Sequence, residues 1–150
     1  MVRFHEALSE QSVYLRYAGT LKLSQRIAHD RLARRCDVDP AREVAIVAEV
    51  AGEDGVPEIG AVGRLTRGAG EDADLGLLVL DRYQHHGLGT ELLTRLMEAG
   101  RTLGLRRITA DILLGNGAMH HVCHKLGFEI LNKDDVSSPL IRAVRVFSAA

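Results

Sequence analysis

Apolar and polar positions along the chain follow two periods, and the switch between them lays out the elements. Over residues 9–36 the period is helical. Leu8, Val13, Leu15 and Tyr17 share a face, Gly19-Thr20-Leu21 interrupts it, and a second helix over residues 24–35 carries Ile27, Leu32 and Ala33. Asp37-Val38-Asp39-Pro40 stops that helix. Residues 44–50 are rich in β-formers, and Gly52-Glu53-Asp54-Gly55-Val56-Pro57 turns the chain back into a partner strand at 58–66. A turn at 68–72 leads to the apolar run Leu75-Gly76-Leu77-Leu78-Val79-Leu80. After it, Leu92, Leu93, Leu96, Ala99 and Leu103 repeat at i, i+3, i+4, i+7, a helix stripe that Gly104 closes. A strand at 106–113, a helix at 116–126, and strands at 128–131 and 140–147 around the polar loop 132–139 complete the pattern. This order predicts an α/β protein with a mixed sheet, folded as one domain over residues 1–150.

Composition narrows the class. Hydrophobic residues make up 46% of the 150 residues, enough for a sizeable core. Nineteen basic residues nearly cancel 20 acidic ones, for a net charge of −1, so no global field draws the chain to nucleic acid. Cys36 and Cys123 form neither a disulfide framework nor a metal-ligand spacing, as suits a reducing compartment. No apolar span or leader pattern indicates a membrane or secretion. The expectation is a cytoplasmic protein.

Candidate chemistry centres on Gln84-His85-His86-Gly87-Leu88-Gly89-Thr90, between the apolar strand and the striped helix. Glycines let a main chain pass close to a ligand, and a helix start offers unpaired amides and positive dipole, so this is an anion cradle. It lacks the Lys-Ser/Thr pair of a nucleoside-triphosphate loop, because Thr90-Glu91 follows Gly89. It has two glycines where a dinucleotide fingerprint needs three.

The spacing Gln-x-x-Gly-x-Gly resembles the pyrophosphate loop of the GNAT superfamily of acyl-CoA-dependent N-acyltransferases. Ala73-Asp74-Leu75-Gly76-Leu77-Leu78-Val79 before it is similar to the family's preceding strand. Asn116-Gly117-Ala118-Met119 followed by Cys123-His124-Lys125-Leu126-Gly127-Phe128 resembles the second signature, with Arg106 to Leu113 as the strand between. The likeness runs from Glu43 onward. Ser12-Val13-Tyr14-Leu15-Arg16-Tyr17 and Asp30-Arg31-Leu32 are also similar to the bacterial Pat-type protein-lysine acetyltransferases.

The resemblance implies a GNAT fold: a mostly antiparallel sheet with a splayed central strand pair and flanking helices. The chain starts too late for the strand that normally comes first, so the sheet is expected to lack it. Its exposed edge would favour a homodimer. The resemblance also implies acetyl-CoA as co-substrate, without a metal. Residues Gln84, His85, His86, Gly87, Leu88, Gly89 and Thr90 would hold the pyrophosphate, and the main chain of Leu77, Leu78 and Val79 the pantetheine arm. Asn116 would either bond that arm or cap its helix.

An amine attacks a thioester only when neutral, so a base is useful. Asp74 occupies the place where relatives often carry Glu; its other reading is a solvated acid, and Asp111 is a second candidate. Many relatives have a Tyr proton donor where Cys123 stands, and Cys123 is either that acid or core packing. His120 and His124, at i, i+4, read as solvated helix residues, as do Arg26, Arg31, Arg34 and Arg35. The arginines could alternatively meet an acidic partner or the CoA 3′-phosphate. The expected activity is acetyl transfer to a primary amine, first a protein lysine, on a partner such as an acyl-CoA synthetase. A small-molecule amine acetyltransferase and a non-catalytic CoA-binding module are the alternatives.

Overall fold

Local capping decides where the opening helices begin and end. The computed structural model describes residues 1–132 and 134–148, and it opens with α1 (Val2–Glu6), α2 (Glu10–Tyr17), α3 (Leu23–Arg26) and α4 (His29–Cys36). The Ser9 hydroxyl accepts from the Ser12 amide and caps α2. The helix expected over residues 24–35 is split at Ile27 and Ala28 into α3 and α4. At the break, the Arg26 carbonyl accepts from Arg31 Nη1 at 3.0 Å.

Arg26 itself corrects the expectation of a solvated arginine face. It is 1% exposed. Its guanidinium donates to the carbonyls of Leu21 at 3.0 Å and His5 at 2.9 Å, and pairs with Glu10 at 3.3 Å. A buried cation is tolerated only when its donors are satisfied, and here they clamp α1, α2 and α3 together.

The strands are β1 (Glu43–Ala51), β2 (Pro57–Arg67), β3 (Asp72–Val79), β4 (Arg107–Leu113), β5 (Glu129–Leu131) and β6 (Leu140–Val146). They form one sheet in the order β1-β2-β3-β4-β6-β5, antiparallel except for the central pair β3–β4. That parallel pair holds for three residues, Asp72 to Asp74 against Arg107 to Thr109, and then the strands part. β1 is an edge whose outer side meets no strand among the described residues.

Helix α5 (Leu88–Thr102) follows β3, and α6 (Gly117–Lys125) follows β4. Leu92, Leu93, Leu96 and Met97 are buried, with Leu92 and Leu96 filling the space above Gly63 of β2. Leu103, expected in that stripe, is 43% exposed. The helix ends in a Schellman motif, with Gly104 at φ +72° and Leu105 N–H bonded to the Gly100 carbonyl, so Leu105 takes the inward place. Two apolar cores result. The larger joins α5, α6 and one sheet face through Leu65, Leu93, Leu96, Ile108, Cys123, Phe128 and Ile141. The smaller packs Phe4, Leu8 and Val13 onto Val62, Leu78 and Leu80 of the other face. Among the described residues, no helix is long and apolar enough to cross a membrane.

Candidate active site

Where β3 and β4 part, a cavity of about 580 Å³ opens, within the range of small-ligand sites. Leu77, Leu78 and Val79 of β3, then Gln84, His85, Gly87, Gly89 and Thr90, and Asn116 before α6 all line it. Nine of the eleven residues expected to hold the co-substrate are thus brought to one cleft. His86 of the loop and Leu88, the first residue of α5, are not among its lining residues.

The loop is shaped by its own residues. A 3-10 turn, Asp81–Tyr83, carries the chain out of β3. His85 has φ +63° and Gly87 φ +82°, so the loop turns through two left-handed residues before α5 begins. No side chain caps α5 at Gly87, which leaves its first amides to the cleft. Packing does not demand glycine at Gly89: a Cβ there would meet only Leu77 at 3.6 Å and Val79 at 3.7 Å. What it would take is room in the cradle.

A polar network outside the motif holds this loop. Gln84 Nε2 donates to the Val79 carbonyl and to Ser12 Oγ of α2, each at 3.0 Å. Ser12 Oγ donates in turn to Asp81 Oδ2 at 3.1 Å, and Ser9 adds its hydroxyl at 2.6 Å and its amide at 3.1 Å. Burial works to raise the Asp81 pKa, but the Ser9 and Ser12 hydrogen bonds outweigh it and hold the carboxyl below its ordinary value.

The residues considered for proton transfer are placed apart from the lining. Asp74 sits at the last β3–β4 ladder pair, opposite Thr109, exposed, and accepts from Thr109 Oγ1 at 2.8 Å. It marks the vertex of the fork. Asp111 forms a two-pronged ion pair with Arg142, at 2.9 and 3.2 Å. Cys123 is not brought to the cleft: its thiol is fully buried in the larger core, and burial pushes its pKa up to about 12. Asn116 caps α6 by accepting from the Met119 amide at 3.2 Å, and lines the cleft as well. His120 lies 3.1 Å from the Leu113 carbonyl.

Sequence reasoning missed the contributions of α2 and α6. Ser12, Leu15 and Arg16 form one wall, and Met119, His121, Val122 and Lys125 another. Periodicity marked Leu15 as apolar, but nothing local marked Ser12 or Arg16 as neighbours of a loop some 70 residues on. The lining includes Arg16, Lys125, His85 and His121 and no acidic residue, which suits a polyanionic ligand.

Comparison with known proteins agrees with this geometry. Residues 2–129 match the family model described as acetyltransferase (GNAT) domain. An acetyltransferase of Pseudomonas aeruginosa is 27% identical over 140 residues, which cover 93% of this chain and 73% of that protein. The GNAT domain of PAT from S. lividans superposes with a TM-score of 0.83 at 25% identity, over 97% of this chain and 82% of that one. A Salmonella typhimurium structure carrying acetyl-CoA as its cofactor shares the fold, with a TM-score of 0.65 at 18% identity over 99% and 87% of the two chains. Forked central strands, an uncapped helix start at their open end and a cleft free of carboxylates are what a CoA thioester needs. The chain belongs to the GNAT acetyltransferase family and is an acyl-CoA-dependent N-acetyltransferase.

Proposed function

We propose that this enzyme moves an acetyl group from acetyl-CoA to a protein lysine by direct attack in a ternary complex. The observation that carries the reading is the fork: β3 loses its β4 partner after Asp74, just before Leu77, Leu78 and Val79 enter the cleft. An unpaired strand edge binds an extended amide-bearing arm as an added strand would. In this reading the pantetheine lies along Leu77 to Val79. The amides opening α5 hold the pyrophosphate, with Gly89 leaving room. The Leu78 amide stabilises the oxyanion that forms as the amine adds to the thioester carbonyl.

Asp74 serves as base. A lysine with a pKa near 10.4 must lose a proton before it attacks. Three residues of strand separate Asp74 from Leu77, about 10 Å, so the proton passes through water rather than directly. Thr109 holds the carboxylate in place for it. Water protonates the departing thiolate, since the Cys123 thiol is sealed in the core.

Likeness to the GNAT domain of S. lividans PAT supports a protein acceptor, and an acyl-CoA synthetase is the partner to test first. Cytoplasmic location and pairing of two copies through the open edge of β1 complete the reading. Calorimetric titration of acetyl-CoA against the wild type and Gly89→Glu tests the cleft: micromolar binding lost in the variant supports it. Acetyl transfer to lysines of a synthetase, with no turnover of polyamines or amino acids, supports the protein acceptor. The reverse pattern assigns a small amine instead.

A further inference from the structure

A second, smaller cavity lies against the face of β3 that carries α1 and α2. It measures about 40 Å³, room for roughly three water-sized groups. Its walls include Arg16 of α2, Arg31 and Arg35 of α4, Arg64 of β2, and His5 of α1, with no carboxylate among them. Arg64 is neutralised by Glu43 at 2.8 Å. Arg31 is occupied by the Arg26 carbonyl at 3.0 Å and the Tyr17 hydroxyl at 3.2 Å.

Arg16 is different. Among the described residues its guanidinium has no ion-pair or hydrogen-bond partner, only the Tyr17 ring at 5.1 Å. Burial, and then the neighbouring Arg35, Arg64 and Arg31, press its pKa below the ordinary value, with Tyr17 acting the other way. The fold nevertheless makes space for it. A Cβ at Gly76 would overlap the Arg16 guanidinium, so the strand gives up a side chain where the cation crosses it.

His5 supplies an independent sign. It is 4% exposed, and its buried Nδ1 has no partner. His5 lines the same small cavity as the unpaired Arg16 guanidinium, and a buried polar atom without a partner carries a cost that a bound anion relieves. Arg16 and Leu78 line this cavity and the larger cleft alike, so the two adjoin.

We propose that this pocket binds a carboxylate of the substrate, paired to Arg16 and hydrogen-bonded by His5, and so selects a carboxylate-bearing partner for acyl transfer. The inference rests on the CoA cleft described above. The carboxylate can belong to the acceptor amine or to the end of the acyl chain. Register favours the acceptor: Arg64 faces Gly76, and Thr66 faces Asp74, on one side of the sheet, so the pocket and the base share a face.

The test is calorimetric and uses the whole chain. Acetyl-CoA is titrated first. Then a lysine peptide with a neighbouring glutamate is compared with the same peptide carrying glutamine, on the CoA complex, and succinyl-CoA with butyryl-CoA on the free protein. A charge-assisted pair predicts about a tenfold or greater preference for the carboxylate form. The preference appears in the first comparison for an acceptor carboxylate and in the second for an acyl one, and falls to about one in Arg16→Gln. Ratios near one in a wild type that binds acetyl-CoA overturn the carboxylate pocket and leave the cleft standing. Absence of acetyl-CoA binding overturns the cleft and the pocket proposal with it. A preference that survives Arg16→Gln overturns the assignment to Arg16. The wild-type ratios decide before any variant is made.

Discussion

Gln84 and Ser12 are 72 residues apart in sequence and 3.0 Å apart in space. Through them the glycine loop before α5 is tied to α2. Replacing Gln84 with Leu removes both bonds of its amide nitrogen, each worth about 1 kcal/mol. The expected outcome is acetyl-CoA affinity weakened about five- to thirtyfold by calorimetry. An unchanged Kd would show that the loop keeps its shape without the bridge.

Asp74→Asn keeps the shape and the Thr109 contact but removes the base. With an accepting lysine substrate, kcat near pH 7 should fall about 10²-fold. The rate should partly recover at higher pH, where the free amine is more abundant. A kcat within threefold of wild type would return Asp74 to the role of a solvated acid.

Acid should destabilise the fold through His5. Burial, with the charges of Arg31 and Arg26, lowers its pKa from 6.5 to about 4. Between those values the unfolded chain binds the proton and the folded one does not. The stability is therefore complete above pH 6.5 and is lost as pH falls toward 4, by about 2–3 kcal/mol. Thermal melts from pH 7.5 to 4.5 should show wild type losing about 5–10 °C more than His5→Gln. Parallel curves would remove His5 from the account.

Gly63 should resist enlargement. A Cβ there would stand 2.6 Å from Leu96 Cδ1 and 3.1 Å from Leu92 Cγ, both fully packed. Gly63→Ala should cost about 1–3 kcal/mol and lower Tm by about 3–9 °C. An unaltered melt would mean that α5 shifts freely on the sheet.

The two cysteines should react differently. Cys36 is exposed and Cys123 buried. A thiol reagent at pH 8 should label one thiol per native chain and two after denaturation. Rapid labelling of both would bring Cys123 back toward the cleft and revive it as a proton donor.

Much of this protein was legible in its sequence. The glycines at 87 and 89, set between an apolar strand and an amphipathic helix, mark the cradle locally, because left-handed φ and unpaired helix-terminal amides have local sequence signals. The order of strands and longer helices from residue 9 onward likewise follows from period, whereas α1 went unread. Much of what escaped was set over distance. The burial of Arg26 depends on neighbours that only folding supplies, and so do the Ser12–Gln84 bridge and the unpaired Arg16 beside Gly76. The α3–α4 split and the outward Leu103 are instead local features that periodicity alone does not register. A composition count sees 19 basic residues balanced by 20 acidic ones. Tertiary structure decided which cations found partners and which were left facing a cavity, because ion pairs are made by proximity in space, not by totals along a chain.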